Sequence, residues 1–380
     1  MNERVNIRPA WAEIDLTAIA HNIKELRRVT EPHARVMAVV KANAYGHGAV
    51  PVSRTVLANG ADYLGVAILD EARELREAGI EAPVLVLGYT PPEQAEETVQ
   101  LDLAQTVYTF EAAEALSQAA VKIGKTVRVH VKFDTGMGRL GFAGNTDIPG
   151  EIYRIARLPG LQIEGIMTHF AVADAIDKNY TYQQFKMFEQ IADRLKEAGI
   201  NNVIRHAANS AAIIDMPELH LDMVRAGISI YGLYPSNQVK KERVSLRPAM
   251  SLKARIAHIK KVPPGTGISY GRTFITERDT IVATVPVGYA DGYTRLLSNK
   301  SHVLAGGKRV PVIGTVCMDQ FMIDVSGIQD IRTGDEIVLV GKQGENRVTA
   351  DELADLLGTI NYEIVCAISE RVPRIYYEVQ

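Results

Sequence analysis

Cysteine is nearly absent. Cys317 and Cys366 are the only two among 380 residues, and neither stands in a CxxC pair or in a Cys/His cluster at metal-ligand spacing. Two cysteines are too few for a disulfide framework, so both are read as free thiols and no metal site is expected. No sign of charge dominates either. The 42 basic and 45 acidic residues are well mixed, and a net charge of −3 gives neither the basic tract of a nucleic-acid binder nor a surface suited to anionic membranes. No apolar run is long enough to span a bilayer. The opening MNERVNIRPAWAEIDL carries charges where a secretory signal needs an apolar centre, so a cytoplasmic location is expected. A GxGxxG after the first strand is also lacking, which weakens the alternative of a doubly wound dinucleotide-binding sheet.

What the chain does have is apolar residues, 47% of the total, enough for a large core and two domains. From residue 17 to about 232, β-rich runs alternate with helical patterns, the order expected for parallel strands joined by crossover helices. There are eight such runs: RVMAVV from 35, YLGVAI from 63, PVLVLG from 83, QTVY from 105, VRVHVKF from 127, IEGIMTHF from 163, VIRHAA from 203 and DMVRAG from 222. Between the sixth and seventh, QQFKMFEQIADRLKEAG sets Phe185, Phe188, Ile191 and Leu195 at helical spacing and closes on Gly199. Eight repeats predict an α/β fold, a (β/α)8 barrel of the TIM type over residues 1–246. The texture then changes to short strands with glycine-containing turns, broken by a helix that Thr349 and Glu352 start as a capping box. Residues 247–380 are therefore read as a smaller, mainly antiparallel β domain.

In a barrel the chemistry sits at the C-terminal ends of the strands, and there the run AVVKANAYGHG places Lys41. On position alone, a lysine snorkelling to water is as good a reading as a reactive one. A desolvated lysine among other cations becomes nucleophilic and can bond a carbonyl compound or pyridoxal 5'-phosphate. The second group would need a phosphate site. ANSAA from 208 and RAGISIYG from 225 follow the seventh and eighth strands, where barrels commonly bind phosphate. Ser210 offers a hydroxyl, and Gly227 and Ile228 offer backbone N–H groups. Asn209 and Ser210 read equally well as a plain helix cap.

Nine stretches, VMAVVKANAYGHG, KFDTGMGRLGF, THFA, HAANSAA, MVRAGISIYG, ISYG, VGYADGY, GTVCMDQFMIDV and INYEIVCAISERVPR, run in order from end to end of the chain and resemble the bacterial alanine racemases. The resemblance implies interconversion of L-alanine and D-alanine with pyridoxal 5'-phosphate, supplying D-alanine for peptidoglycan, by a head-to-tail homodimer whose C-terminal domain completes the partner's active site. It implies that Lys41 holds the cofactor and acts as one base, with Tyr270 of the partner as the other. Two bases on opposite faces are the simplest design for removing and returning an α proton. Tyr45, Ser210, Gly227, Ile228 and Tyr362 are implied at the phosphate, with Asn209 beside them. Arg225 is implied at the pyridine nitrogen with His206 orienting it, and Arg139 at the phenolic oxygen and the substrate carboxylate. His169 is implied as a partner for the second base. Met318 and Asp319 fall at substrate-side positions and Tyr289 at the entry passage, while Lys132 corresponds to a lysine that some members carry as a carbamate. Without the resemblance, Tyr362 and His169 read as ordinary core residues, Met318 as filler, and Lys132 as a partner of Asp134. Related decarboxylases place an acid where Arg225 stands, and a cofactor carrier on the same barrel has no C-terminal domain.

Overall fold

The computed structural model describes residues 8–143 and 147–378, so the first seven residues of the charged N-terminal stretch lie outside the described residues. The chain divides into two compact units. Among the described residues, one holds 18–44 and 48–248, and the other holds 8–17, 45–47 and 249–378.

Strand β1 (Ala10–Asp15) precedes the barrel in sequence but hydrogen-bonds in the second unit. The barrel strands follow: β2 (Arg35–Val39), β3 (Tyr63–Val66), β4 (Val84–Val86), β5 (Ala104–Val107), β6 (Val127–Lys132), β7 (Leu161–Met167), β8 (Ile204–His206) and β9 (Met223–Ala226). Each of the eight runs singled out in the sequence overlaps one of them; β5 and β7 begin one and two residues before their runs. All pairs are parallel, in the order β8-β7-β6-β5-β4-β3-β2-β9. The ring is closed where Asp222 N–H donates to Arg205 O (3.0 Å) and Arg225 N–H to Ala208 O (2.9 Å).

Alternation along β6 explains what each side of the wall does. Val127, Val129 and Val131 face outward and pack with Leu116 and Ala120 of the helix Phe110–Ile123, Ile152 and Ile155 of the helix Ile148–Ala156, and Phe188 and Leu195 of the helix Asn179–Glu197. Arg128, His130 and Lys132 take the opposite, interior side. The helices begin and end on local signals: Thr109 Oγ1 accepts Ala112 N–H (3.2 Å), and Gly124 and Gly199 adopt the left-handed conformation at helix C-termini.

The second unit carries β10 (Met250–Arg255), β11 (His258–Val262), β12 (Gly267–Ile268), β13 (Phe274–Ile275), β14 (Thr280–Val285), β15 (His302–Ala305), β16 (Lys308–Ile313), β17 (Phe321–Asp324), β18 (Glu336–Gln343), β19 (Asn346–Val348) and β20 (Arg374–Tyr377). They form a largely antiparallel sheet in the order β11-β14-β17-β16-β15-β18-β10-β1-β20, with β19 on β18; β12 and β13 pair apart from it. The β1–β20 pair is the parallel exception. Two helices interrupt the strands. Ala350–Leu357 is capped by Thr349, whose Oγ1 accepts Glu352 N–H (3.0 Å), but the Glu352 carboxylate binds Arg309. Asn361–Cys366 is the other.

Candidate active site

Lys41 stands just past the end of β2. The four residues after it, Ala42 to Tyr45, all hold φ of 52–53°, one turn of left-handed helix made without glycine. Such a conformation costs about 1–2 kcal/mol per residue for L-amino acids, so neighbours must hold it. Ala44 N–H donates to Val40 O (2.8 Å), Ala42 N–H to Glu71 Oε1 (2.6 Å), and Gly48 and Ala49 N–H to the carbonyl and side-chain oxygens of Asn43 (2.9 and 2.7 Å). The other Glu71 oxygen takes Ala67 N–H (2.7 Å), so one carboxylate ties together the corners after β2 and β3. The lysine is thereby fixed on a rigid corner. Sequence reasoning missed Glu71, since an acid in the first turn of the helix Leu69–Glu77 is commonplace.

Around Lys41 the strand ends gather positive charge. Lys132, buried at the end of β6, is pulled down to about 8 by burial and by Arg139 and Arg225. Its neighbour Asp134 does not form an ion pair with it. Instead Gly136, Met137 and Gly138 N–H bind Asp134 Oδ1 and Arg139 N–H binds Oδ2, at 2.9–3.0 Å, and these four donors outweigh burial and hold the carboxyl below its ordinary value. The Arg225 guanidinium is buried, donating from Nη1 to His206 Nδ1 (2.9 Å) and from Nη2 to Thr168 O (2.8 Å), Ala207 O (2.9 Å) and His169 Nδ1 (3.1 Å). Burial and Arg139 lower it to about 9, which leaves it charged at neutral pH. Burial, then Arg225, Arg139, Lys132 and Lys41 together, holds His169 well below the usual histidine range. It is therefore neutral. Since Arg225 can only donate, His169 Nδ1 is an acceptor and the ring's proton is on Nε2.

Nearby, Asn209 Oδ1 caps the helix Ser210–Asp215 by accepting Ala212 N–H (3.1 Å), and Ser210 Oγ accepts Gly227 N–H (2.8 Å), keeping its own proton to donate. Ile228 opens the turn after β9. Four cations and the Ser210 hydroxyl proton, with the adjacent carboxylate and the Gly227 N–H already engaged, make a site able to take an anion. A small phosphorylated aromatic carbonyl compound fits this donor set: an amine to bond the carbonyl, cations for acidic oxygens, and a small-residue cradle for phosphate.

The other predicted residues belong to the second unit. The Tyr45 and Tyr362 rings lie 6.1 Å apart. Arg374, which sequence reasoning passed over within SERVPR, donates to the carbonyls of Gly46, Ile368, Ser369 and Val372 at 2.6–3.0 Å and so ties the end of the left-handed turn to the C-terminal segment. Tyr270 lies between β12 and β13 with its side chain exposed (73%), and its carbonyl accepts from Thr315 Oγ1 (2.9 Å). Ser269 Oγ donates to Thr315 O (2.6 Å), while Tyr289 and Ala290 N–H donate to Cys317 O and Met318 O (both 3.0 Å). Gly288 permits that approach: a Cβ there would fall 2.3 Å from both carbonyl oxygens. Asp319 pairs with Arg371 (2.7 Å). Tyr270, Tyr289, Met318 and Asp319 thus share one set of tied, exposed loops.

A parallel (β/α)8 barrel with an anion-seeking lysine site at its strand ends, followed by an antiparallel β unit, defines a barrel enzyme with a second domain. The alanine racemase N-terminal domain model matches residues 14–235, and the C-terminal domain model matches 249–376. The alanine racemase of Methanococcus maripaludis is 54% identical over 368 residues, covering 97% of this chain and 98% of the relative. Among solved structures, the alanine racemase of Clostridium difficile 630 superposes with a TM-score of 0.94 at 46% identity, covering 99% and 97% of the two chains. That of Bacillus anthracis, solved with bound L-Ala-P, gives 0.93 at 41% identity, covering 98% and 96%. The chain belongs to the alanine racemase family and is an isomerase.

Proposed function

We propose that this enzyme interconverts L-alanine and D-alanine with pyridoxal 5'-phosphate by a two-base mechanism, and that it acts in the cytoplasm to supply D-alanine for peptidoglycan. The observation that carries the reading is the crowding of Lys41, Lys132, Arg139 and Arg225 around a neutral His169, a charge pattern that an anionic cofactor balances. When bound, the cofactor acidifies the α C–H of an amino acid. Lys41 would hold it and move the α proton on one face, and Tyr270 of a partner chain would move it on the other. Two features support supply from a partner: Tyr270 and Met318 are exposed on this chain, and neither has a core to fill. We therefore assign a head-to-tail homodimer.

The remaining residues bind and orient. Ser210, Gly227, Ile228, Tyr45 and Tyr362 would hold the phosphate, with Asn209 shaping the turn and the Gly227 N–H now on Ser210 turning to the anion. Arg139 would face the phenolic oxygen and the substrate carboxylate, and the Met318 main chain, with Asp319 behind it, would meet that carboxylate from the partner. Tyr289 lines the approach. Arg225 would face the ring nitrogen; because guanidinium keeps its protons, it would offer that nitrogen none, which would favour racemisation over transamination. The lowered affinity of Lys132 for protons enlarges the fraction of neutral amine that CO2 requires, so a carbamate at Lys132 placed beside Arg139 belongs to the same reading.

Purified enzyme in D2O with L-alanine tests the proposal. It exchanges the α proton as optical rotation disappears. Colour without exchange would instead indicate a carrier, and release of CO2 a decarboxylase.

A further inference from the structure

Behind Arg225 a chain of buried side chains crosses the barrel interior. Arg225 Nη1 lies 2.9 Å from His206 Nδ1, His206 Nε2 lies 2.8 Å from His130 Nδ1, His130 Nε2 lies 2.9 Å from Glu164 Oε2, and the same Glu164 oxygen accepts the Tyr63 hydroxyl at 2.6 Å. The chemistry at its two ends fixes every proton in it. Guanidinium only donates, so His206 Nδ1 accepts and the His206 proton is on Nε2. That proton points at His130 Nδ1, so the His130 proton is also on Nε2, and it points at a carboxylate that only accepts. A proton added to either ring would set donor against donor. We infer that Glu164 and His130, with Tyr63, are positioning residues for the racemase reaction: together they lock His206 as an acceptor and so fix the orientation of Arg225.

The backbone is bent to make this chain. Ile163 pairs with Val129 but Gly165 pairs with His130, so Glu164 is an extra residue in β7, a β-bulge. Ile163 and Ile166 both pack in the outer cluster, although an odd spacing would put them on opposite faces of a regular strand. The bulge resolves the conflict by turning Glu164 and Gly165 inward in succession. Gly165 then supplies the room: a Cβ there would lie 2.4 Å from His130 Nδ1. Carboxylate, bulge and missing side chain serve one arrangement. The charged group facing Glu164 besides its two donors is Arg128, with Nη1 3.9 Å from Oε1, and the groups facing His206 are Arg225 and His130. Burial lowers both histidines; burial would raise Glu164, but the hydrogen bonds from His130 and Tyr63 bring it to about 2. All three are thus in the states the chain needs at neutral pH.

The inference rests on the racemase reading for its kinetic arm alone. In the full-length protein labelled with 15N-histidine, imidazole nitrogen shifts should show His130 and His206 neutral and protonated on Nε2 at pH 6, where an ordinary histidine is more than half charged. A proton on His206 Nδ1, or a cationic ring at that pH, overturns the chain. Glu164→Ala should mix the tautomers of both rings and lower kcat about tenfold at unchanged KM for alanine, a loss in the lower range for partners that orient a functional histidine. Glu164→Gln, which keeps an acceptor, should recover most of it. Equal loss in both variants, or a loss carried by KM, contradicts the inference. If Glu164→Ala does not fold, the wild-type spectrum and the glutamine variant decide. A wild-type enzyme that fails to racemise alanine defeats the functional reading and leaves the tautomer result standing.

Discussion

The two halves of the barrel interior are built from opposite chemistry. Strands β2 to β5 contribute Met37, Tyr63, Leu85 and Ala104 to a buried cluster that Met167 and Met223 complete. Strands β6 to β9 contribute Arg128, His130, Lys132, Glu164, His206 and Arg225. In that cluster only Tyr63 carries a polar group, whose hydroxyl donates to Glu164, and for the rest burial alone is stabilising. In the second half, each group needs a partner of the right sign, because an unsatisfied polar group in the interior is costly. One half therefore supplies stability and the other sets charge and tautomer around the strand ends.

The largest expected effect falls on the chemical side. Lys41→Ala should lower racemisation about a thousandfold or more, the scale of losing a positioned base that also holds the cofactor; optical rotation measures it. On the apolar side, Leu85→Ala should cost about 2–5 kcal/mol in urea unfolding while KM for alanine in the folded fraction is retained. A shift in KM would blur the division.

Acid separates the halves further. His130 and His206 bind protons more weakly when folded than the ordinary 6.5, so below that pH the unfolded chain takes up more protons and stability falls. Glu164, held at about 2 against 4.5, adds to the loss as pH drops from 4.5 toward 2. Urea midpoints should therefore decline from near pH 6.5, and His130→Asn should flatten the first part of the decline. Lys132 gives a smaller, alkaline counterpart. With a folded value of about 8 against 10.5, the unfolded chain binds more protons between the two, so stability rises with pH across that window in CO2-free buffer. Lys132→Met should abolish the rise. The smallest effect lies outside the barrel wall, where Thr109→Ala removes a helix cap worth about 1 kcal/mol.

Much of this fold was legible because apolar runs announce buried parallel strands, and the spacing of Phe185, Phe188, Ile191 and Leu195 did mark a helix, Asn179–Glu197. The left-handed turn at 42–45 was not, since Ala-Asn-Ala-Tyr carries no glycine to signal it. The pairing of β1 with β10 spans most of the chain, a distance over which local pattern says nothing. The polar chain inside the barrel left a trace that went unused. VRVHVK alternates valine with charged or ring side chains, and Glu-Gly inside IEGIM is what a bulge looks like in sequence. Arg374 gave no signal, because its partners are all backbone carbonyls.

The most direct test of the two-base account mixes Lys41→Ala subunits with Tyr270→Phe subunits, each inactive alone. If each site takes its lysine from one chain and its tyrosine from the other, random exchange into heterodimers should restore about a quarter of wild-type turnover. No restoration after demonstrated subunit exchange would contradict it.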